Sequence, residues 1–250
     1  MIEAVVFDLD GVLVDSEQLW DQARRQVATE HAGRWREEAT AAMQGMSSPE
    51  WSAYMRDTLG VRLQREEISD LVVQSLIDHY ERHLPLHPGA VEAVRRLGSR
   101  WPLAVASSAT RQVIDTVLDL AGLRDMFQIT VSSEEVPRGK PWPDVYLEAA
   151  HRLGCPPESC VAVEDSANGV RSAVAAGLRT VAVPNPEYPL GEDVLRQADL
   201  TVTSLTDITV DMIDRFDDRR GGRFERRLDE EEIESFPASD PHSDWAGPPD

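Results

Sequence analysis

Two carboxylates, Asp8 and Asp10, stand two residues apart where the apolar run Ala4–Phe7 ends and just before Gly11. On extended backbone, residues i and i+2 point to the same side. Buried like charges at that distance repel, so one stays protonated unless a cation lies between them. The pair suits a nucleophile beside a general acid, or two metal ligands. Asp-x-Asp-Gly also occurs as a plain capped turn, and the residues alone leave these readings open. An EF-hand loop is excluded, because the remaining acidic positions and the closing Glu are missing.

Three further groups of residues could do chemistry. Ser107-Ser108 follow an apolar run and precede helical periodicity, so their hydroxyls and backbone N–H groups form either a phosphate cradle or a simple helix cap. Lys140 is framed by Gly139 and by Pro141, with Trp142, Pro143 and Asp144 beyond. Proline stiffens the backbone there, a framing that a solvated surface lysine does not need. Glu164-Asp165-Ser166, with Asn168-Gly169 behind, closes another apolar run and offers the oxygen ligands that Mg2+ prefers. Ser166 and Asn168 also fit capping.

The elements that must position these residues are short buried strands alternating with helices. Ala4–Phe7 and the runs 103–106, 129–131, 160–163 and 180–183 have strand length and β-branched content. Helical patterns such as Val113, Val117 and Leu120, or Val170 and Val174, separate most of them, with Thr110 a fitting N-cap and Gly154 and Gly177 at helix ends. This order predicts an α/β fold, a Rossmann-like parallel sheet with helices on both faces. Ligands of such sheets gather at the carboxyl ends of the strands, where all four groups stand. Residues 16–84 show only helical periodicity and predict an inserted helical unit. The run LPLHPGA at 84–90 returns the chain to the α/β layer, with Pro88 suited to the first turn of the next helix. The expected division is a discontinuous core of 1–15 and 85–216, a helical cap of 16–84, and an acidic, disordered tail of 217–250.

The 250 residues are 41% hydrophobic, enough for a substantial core, and carry a net charge of −20. That charge argues against nucleic acid and anionic membrane as partners, since both are bound by neutralising phosphates with Lys or Arg. A small anionic substrate can still bind where the site carries local cations. No secretory signal or transmembrane run is read, and Cys155 and Cys160 belong to no disulfide framework or metal cluster. A cytoplasmic monomer is expected.

Together the four groups resemble the haloacid dehalogenase superfamily. FDLDGVLVDSE, VASSA, GKPWPDVY and VEDSANGV are similar to the motifs of its capped phosphatase and phosphomutase branch, over residues 1–216. The resemblance implies that Asp8 is the nucleophile forming an aspartyl-phosphate and Asp10 the acid/base. It implies Mg2+ held by Asp8, the Asp10 backbone carbonyl and Asp165, with Glu164 binding directly or through water. Ser107, Ser108 and Lys140 would hold the phosphoryl group. On the cap, Glu17, Trp20, Gln44 and Gly45 occupy positions that face the substrate, although a helical Trp also suits a core.

The resemblance also discriminates among reactions. A dehalogenase needs no acidic pair such as Glu164-Asp165, and a phosphonatase needs a cap lysine, whereas 16–84 contains none. Sugar phosphomutases of the β-phosphoglucomutase type carry His, Arg and Lys where Trp20, Ser48 and Thr110 stand. Losing those groups removes the grip on a second phosphate. DSEQLW and the stretch VPNPEYPLGEDVLRQADLTVTSLTDIT are similar to a sugar-phosphatase subgroup that includes 2-deoxyglucose-6-phosphate and hexitol-phosphate phosphatases. The expectation is hydrolysis of a small phosphorylated metabolite, a sugar or sugar-alcohol phosphate, with a mutase as the alternative. A catalytically idle binding module with the tail as its interaction arm is the reading of another class.

Overall fold

The computed structural model describes residues 1–43, 46–186 and 188–218. Six parallel strands form one sheet: β1 (Ala4–Phe7), β2 (Leu103–Ser107), β3 (Ile129–Ser132), β4 (Cys160–Glu164), β5 (Arg179–Ala182) and β6 (Leu200–Thr201), in the order β3-β2-β1-β4-β5-β6. Four helices lie between β1 and β2 before the last connecting one: α1 (Glu17–Glu30), α2 (Ala39–Met43), α3 (Ser48–Asp57), α4 (Arg65–Arg82) and then α5 (Ala90–Gly98). The remaining helices are α6 (Arg111–Leu120), α7 (Asp144–Leu153), α8 (Ala167–Ala175), α9 (Glu192–Leu195) and α10 (Val210–Asp218).

Side-chain alternation along the strands decides how closely each face is covered. Val5, Phe7, Leu103, Val105, Val161 and Val163 join one large buried cluster, whereas Ala4, Val6, Ala104, Ala106 and Ala162 join another. The alanine-rich face lets α7 come close, and Val145, Tyr146, Ala149 and Ala150 pack into it. The larger cluster continues from the sheet into the inserted helices through Trp20, Trp51, Met55, Ile68 and Leu76.

The chain leaves and re-enters the sheet layer side by side. Val14 bridges Leu86, Asp15 N donates to Pro85 O at 2.8 Å and His87 N to Leu13 O at 3.0 Å. Pro88 precedes α5 rather than sitting in its first turn. His87 O accepts from Ala90 N, and Gly89, at φ +81°, is the N-cap. Proline at the second and a left-handed glycine at the third position make a type II turn, whose fourth residue, Ala90, starts the helix. Thr110 does cap α6, and Gly154 at φ +72° ends α7.

Two further features differ from the sequence expectation. Strand β6, two residues long, was not anticipated, and α10 runs through Asp217 to Asp218, which therefore belong to a helix. The rest of the expected tail lies outside the described residues. Both cysteines are free, and burial holds the Cys160 thiol up at about 12, which keeps it protonated. No helix among the described residues is long and apolar enough to cross a membrane.

Candidate active site

The strand order reverses direction between β1 and β4, the place where open α/β sheets bind ligands. Asp8 follows β1, and its backbone N–H donates to Val163 O of β4 at 3.0 Å. Glu164 ends β4 and Asp165 follows it. The register pairs Phe7 with Val163, so Asp8, Glu164 and Asp165 emerge together.

Their carboxylate oxygens lie within 4.8 Å of one another, all buried. Burial first, then the neighbouring carboxylates, raises the Asp8 carboxyl from 3.8 to about 8, against the lowering pull of Lys140. Burial, Glu164 and Asp8 likewise hold Asp165 well above the carboxylate range. One Asp165 oxygen, Oδ1, is buried without a hydrogen-bond partner. Three buried acids, one with an orphaned oxygen, fit a divalent cation that would offset their repulsion. Gly11, at φ +76°, leaves room for this arrangement, because a Cβ there would fall 1.9 Å from Asp165 Oδ2.

Lys140 is the one lysine of the chain. It is 4% exposed, and its Nζ lies 2.8 Å from Asp8 Oδ1, 2.6 Å from Glu164 Oε1 and 3.0 Å from Ala106 O. Burial alone would lower its pKa, but Asp8 and Glu164 outweigh burial and hold it charged.

Glu164 has an environment of its own. Oε1 accepts from Lys140 and, at 2.7 Å, from the Tyr146 hydroxyl; Oε2 accepts from Asp165 N, Ser166 N and Ser166 Oγ. Ser166 also caps α8, its Oγ accepting from Gly169 N at 3.0 Å. Gly169 backs directly onto this carboxylate, since a Cβ there would lie 1.9 Å from Oε1.

Asp8, Asp10, Ser108, Lys140, Asp165 and Ser166 open on one cavity. Ser107 is fully buried beneath it, its Oγ accepting from Ala109 N at 3.0 Å. Glu17 and Trp20 of α1 also line the cavity, together with Met46 and Trp51. Gln44 and Gly45 lie outside the described residues. Trp20 is buried and also donates, from Nε1, to Asp10 Oδ1 at 2.9 Å.

Four residues of the site, Met46, Trp51, Tyr146 and Arg24, escaped the sequence reading. Tyr146 carries no signal beyond its place in the Lys140 motif. Arg24 lines the same cavity, and its signal was legible: Glu17, Trp20 and Arg24 at i, i+3 and i+7 share a helix face.

A family model for haloacid dehalogenase-like hydrolases matches residues 2–177. Hexitol phosphatase B of Escherichia coli strain K12 is 34% identical over 225 residues, covering 83% of this chain and 95% of its own length. The crystal structure of CbbY from Rhodobacter sphaeroides in complex with phosphate superposes with a TM-score of 0.73 at 25% identity, over 86% of this chain and all of that one. That of a β-phosphoglucomutase from Clostridium difficile gives 0.76 at 22% identity, over 88% and 98%, a likeness of fold. The chain belongs to the haloacid dehalogenase-like hydrolases.

Proposed function

We propose that the protein hydrolyses small phosphate monoesters, sugar or sugar-alcohol phosphates, through a phosphoryl group carried on Asp8. The observation that carries this reading is the contact of Asp8 with the buried Lys140 inside an acidic cluster at the strand ends. The similarity to Hexitol phosphatase B supports the substrate class.

The Asp8 carboxylate attacks phosphorus, and the ester oxygen leaves with a proton from the Asp10 carboxyl. Water then attacks the phosphorus of the aspartyl-phosphate, Asp10 takes up its proton, and inorganic phosphate departs as Asp8 is regenerated. One group serves both halves because they need opposite protonation states. Trp20 holds Asp10 at the mouth of the cavity. Lys140 and the Ser107–Ala109 turn receive the phosphoryl oxygens, and their charge and dipoles stabilise the transition state.

A Mg2+ ion held by Asp8, Asp165 and the Asp10 backbone carbonyl would supply charge neutralisation at the phosphoryl group and let both buried acids ionise. Glu164 already accepts five hydrogen bonds, which favours contact with that ion through water and makes the residue chiefly the holder of Lys140. The helices of 16–84 act as a cap that excludes water and reads the substrate beyond the phosphate.

A panel of sugar monophosphates, with β-glucose 1-phosphate plus a bisphosphate activator as one member, tests the reading. Mg2+-dependent phosphate release from several members supports it. Isomerisation of β-glucose 1-phosphate without phosphate release would favour a mutase instead.

A further inference from the structure

Arg24 is turned towards the site while its neighbour is not. Arg25 pairs with Asp21 at 2.5 Å on the exposed side of α1. Arg24 is 7% exposed and lines the cavity that holds Asp8 and Lys140. Its guanidinium carbon lies 4.9 Å from the centre of the Trp20 ring and 5.1 Å from that of Trp51.

Indole rings engage the face of a guanidinium and leave its N–H groups, which lie in the plane, for other partners. The Arg24 Nε is buried with no hydrogen-bond partner, and no carboxylate forms an ion pair with Arg24 among the described residues. Glu17, Asp10 and Asp21 are near enough to favour its charge; burial works against it and lowers the group to about 10, still protonated near neutrality. Asp10 is occupied by the Trp20 N–H. A buried cation without a hydrogen-bonded counter-ion is costly, and this one faces the space where substrate must lie. A hydroxyl could accept from it, but only an anion brings the missing charge, and the guanidinium fork matches the paired oxygens of a carboxylate or a phosphate.

We propose that Arg24 is a specificity residue that grips a second anionic group, a carboxylate or a second phosphate, on the part of the substrate remote from Asp8 and Lys140. The favoured substrates are then phosphate esters of sugars that carry another acidic group. The inference rests on the phosphatase reading above, and it replaces the lost arginine counterpart at Ser48 with one on a different helix.

Three substrates separate the possibilities: glucose 6-phosphate with one anionic group, 6-phosphogluconate with an added carboxylate, and fructose 1,6-bisphosphate with an added phosphate. The wild type is expected to prefer one or both of the latter. In Arg24→Met the ratio of kcat/KM for the preferred doubly anionic ester over glucose 6-phosphate is expected to fall by about 10–100-fold, mostly through KM. Arg24→Lys, which keeps the charge without the fork, should recover part of the ratio. Preference for the carboxylate or the phosphate identifies the group.

Binding of the same three compounds to Asp8→Asn with and without Arg24→Met, followed by fluorescence of the adjacent Trp20 and Trp51, gives a readout independent of turnover. If the wild type hydrolyses no ester, the phosphatase reading fails, while binding that depends on Arg24 and on the second anion still upholds the inference. A folded Arg24→Met protein with an unchanged ratio, or an equal loss on all three substrates that Arg24→Lys does not repair, overturns it.

Discussion

The indole nitrogen of Trp20 donates to Asp10 Oδ1 at 2.9 Å, joining the first inserted helix to the carboxylate that the mechanism uses as acid and base. Trp20 is thus a positioning residue as well as a wall of the cavity. Trp20→Phe keeps a ring against Trp51, 6.0 Å away between centroids, but removes the N–H. The loss of one hydrogen bond to a charged group, about 1.5–3 kcal/mol, is expected to lower kcat by about 10–100-fold, with a smaller change in KM. A loss that falls on KM with kcat unchanged would make Trp20 a wall of the cavity and no positioning residue.

Tyr146 supports the site from behind Glu164. It gives Glu164 Oε1 a 2.7 Å hydrogen bond from the alanine-rich face of the sheet. Tyr146→Phe removes a donor from a buried carboxylate and is expected to cost about 1–3 kcal/mol of stability, measured by urea denaturation with cation present. Unchanged stability would show that Lys140 and the backbone suffice to hold Glu164.

In chelator, stability should depend on pH in a definite direction. Asp8 is raised from 3.8 to about 8, and Asp165 is raised as well. A carboxyl that binds its proton more tightly when folded contributes stability at low pH, and that contribution fades as pH rises from about 4 towards about 8. Lys140, also raised, stays charged throughout and adds no slope. The Tm without metal is therefore expected to fall between pH 5 and pH 8 (about the window of the Asp8 shift), and added Mg2+ to flatten the fall. A Tm without metal that rises over this range contradicts the assignment of the acidic cluster.

Gly11→Ala provides a steric test. The residue sits at φ +76°, and a methyl would fall 1.9 Å from Asp165 Oδ2. Backbone strain and the clash act together, so activity should be lost and the response of Tm to Mg2+ weakened. Retained cation response in a folded Gly11→Ala protein would show that Asp165 is not held where the account requires it.

The strands and their acidic ends were legible because continuous apolar runs such as Ala4–Phe7 and 160–163 can only be buried, and the chemistry stands at their carboxyl ends. Strand β6 was not, since Leu200–Thr201 is too short for periodicity to register. Asp8, Lys140 and Asp165 were readable from motifs, but the partners of Glu164 were not: Tyr146 reaches it only because alanines on three strands admit α7 so closely. Arg24 belongs to none of the motifs, and only its spacing from Glu17 and Trp20 places it on the inner face of α1. Trp20 required no choice between core and site; an indole supplies a ring to one and an N–H to the other.

The central claim is that Asp8 carries the phosphoryl group. Mixing the enzyme with Mg2+ and a hydrolysed sugar phosphate labelled in its phosphate, quenching in acid within a turnover, and mapping the label by peptide mass measures this directly. The account predicts an acid-stable, alkali-labile label on Asp8, absent from Asp8→Asn, which should also release no phosphate. Label on another residue, or turnover that survives in Asp8→Asn, would contradict it.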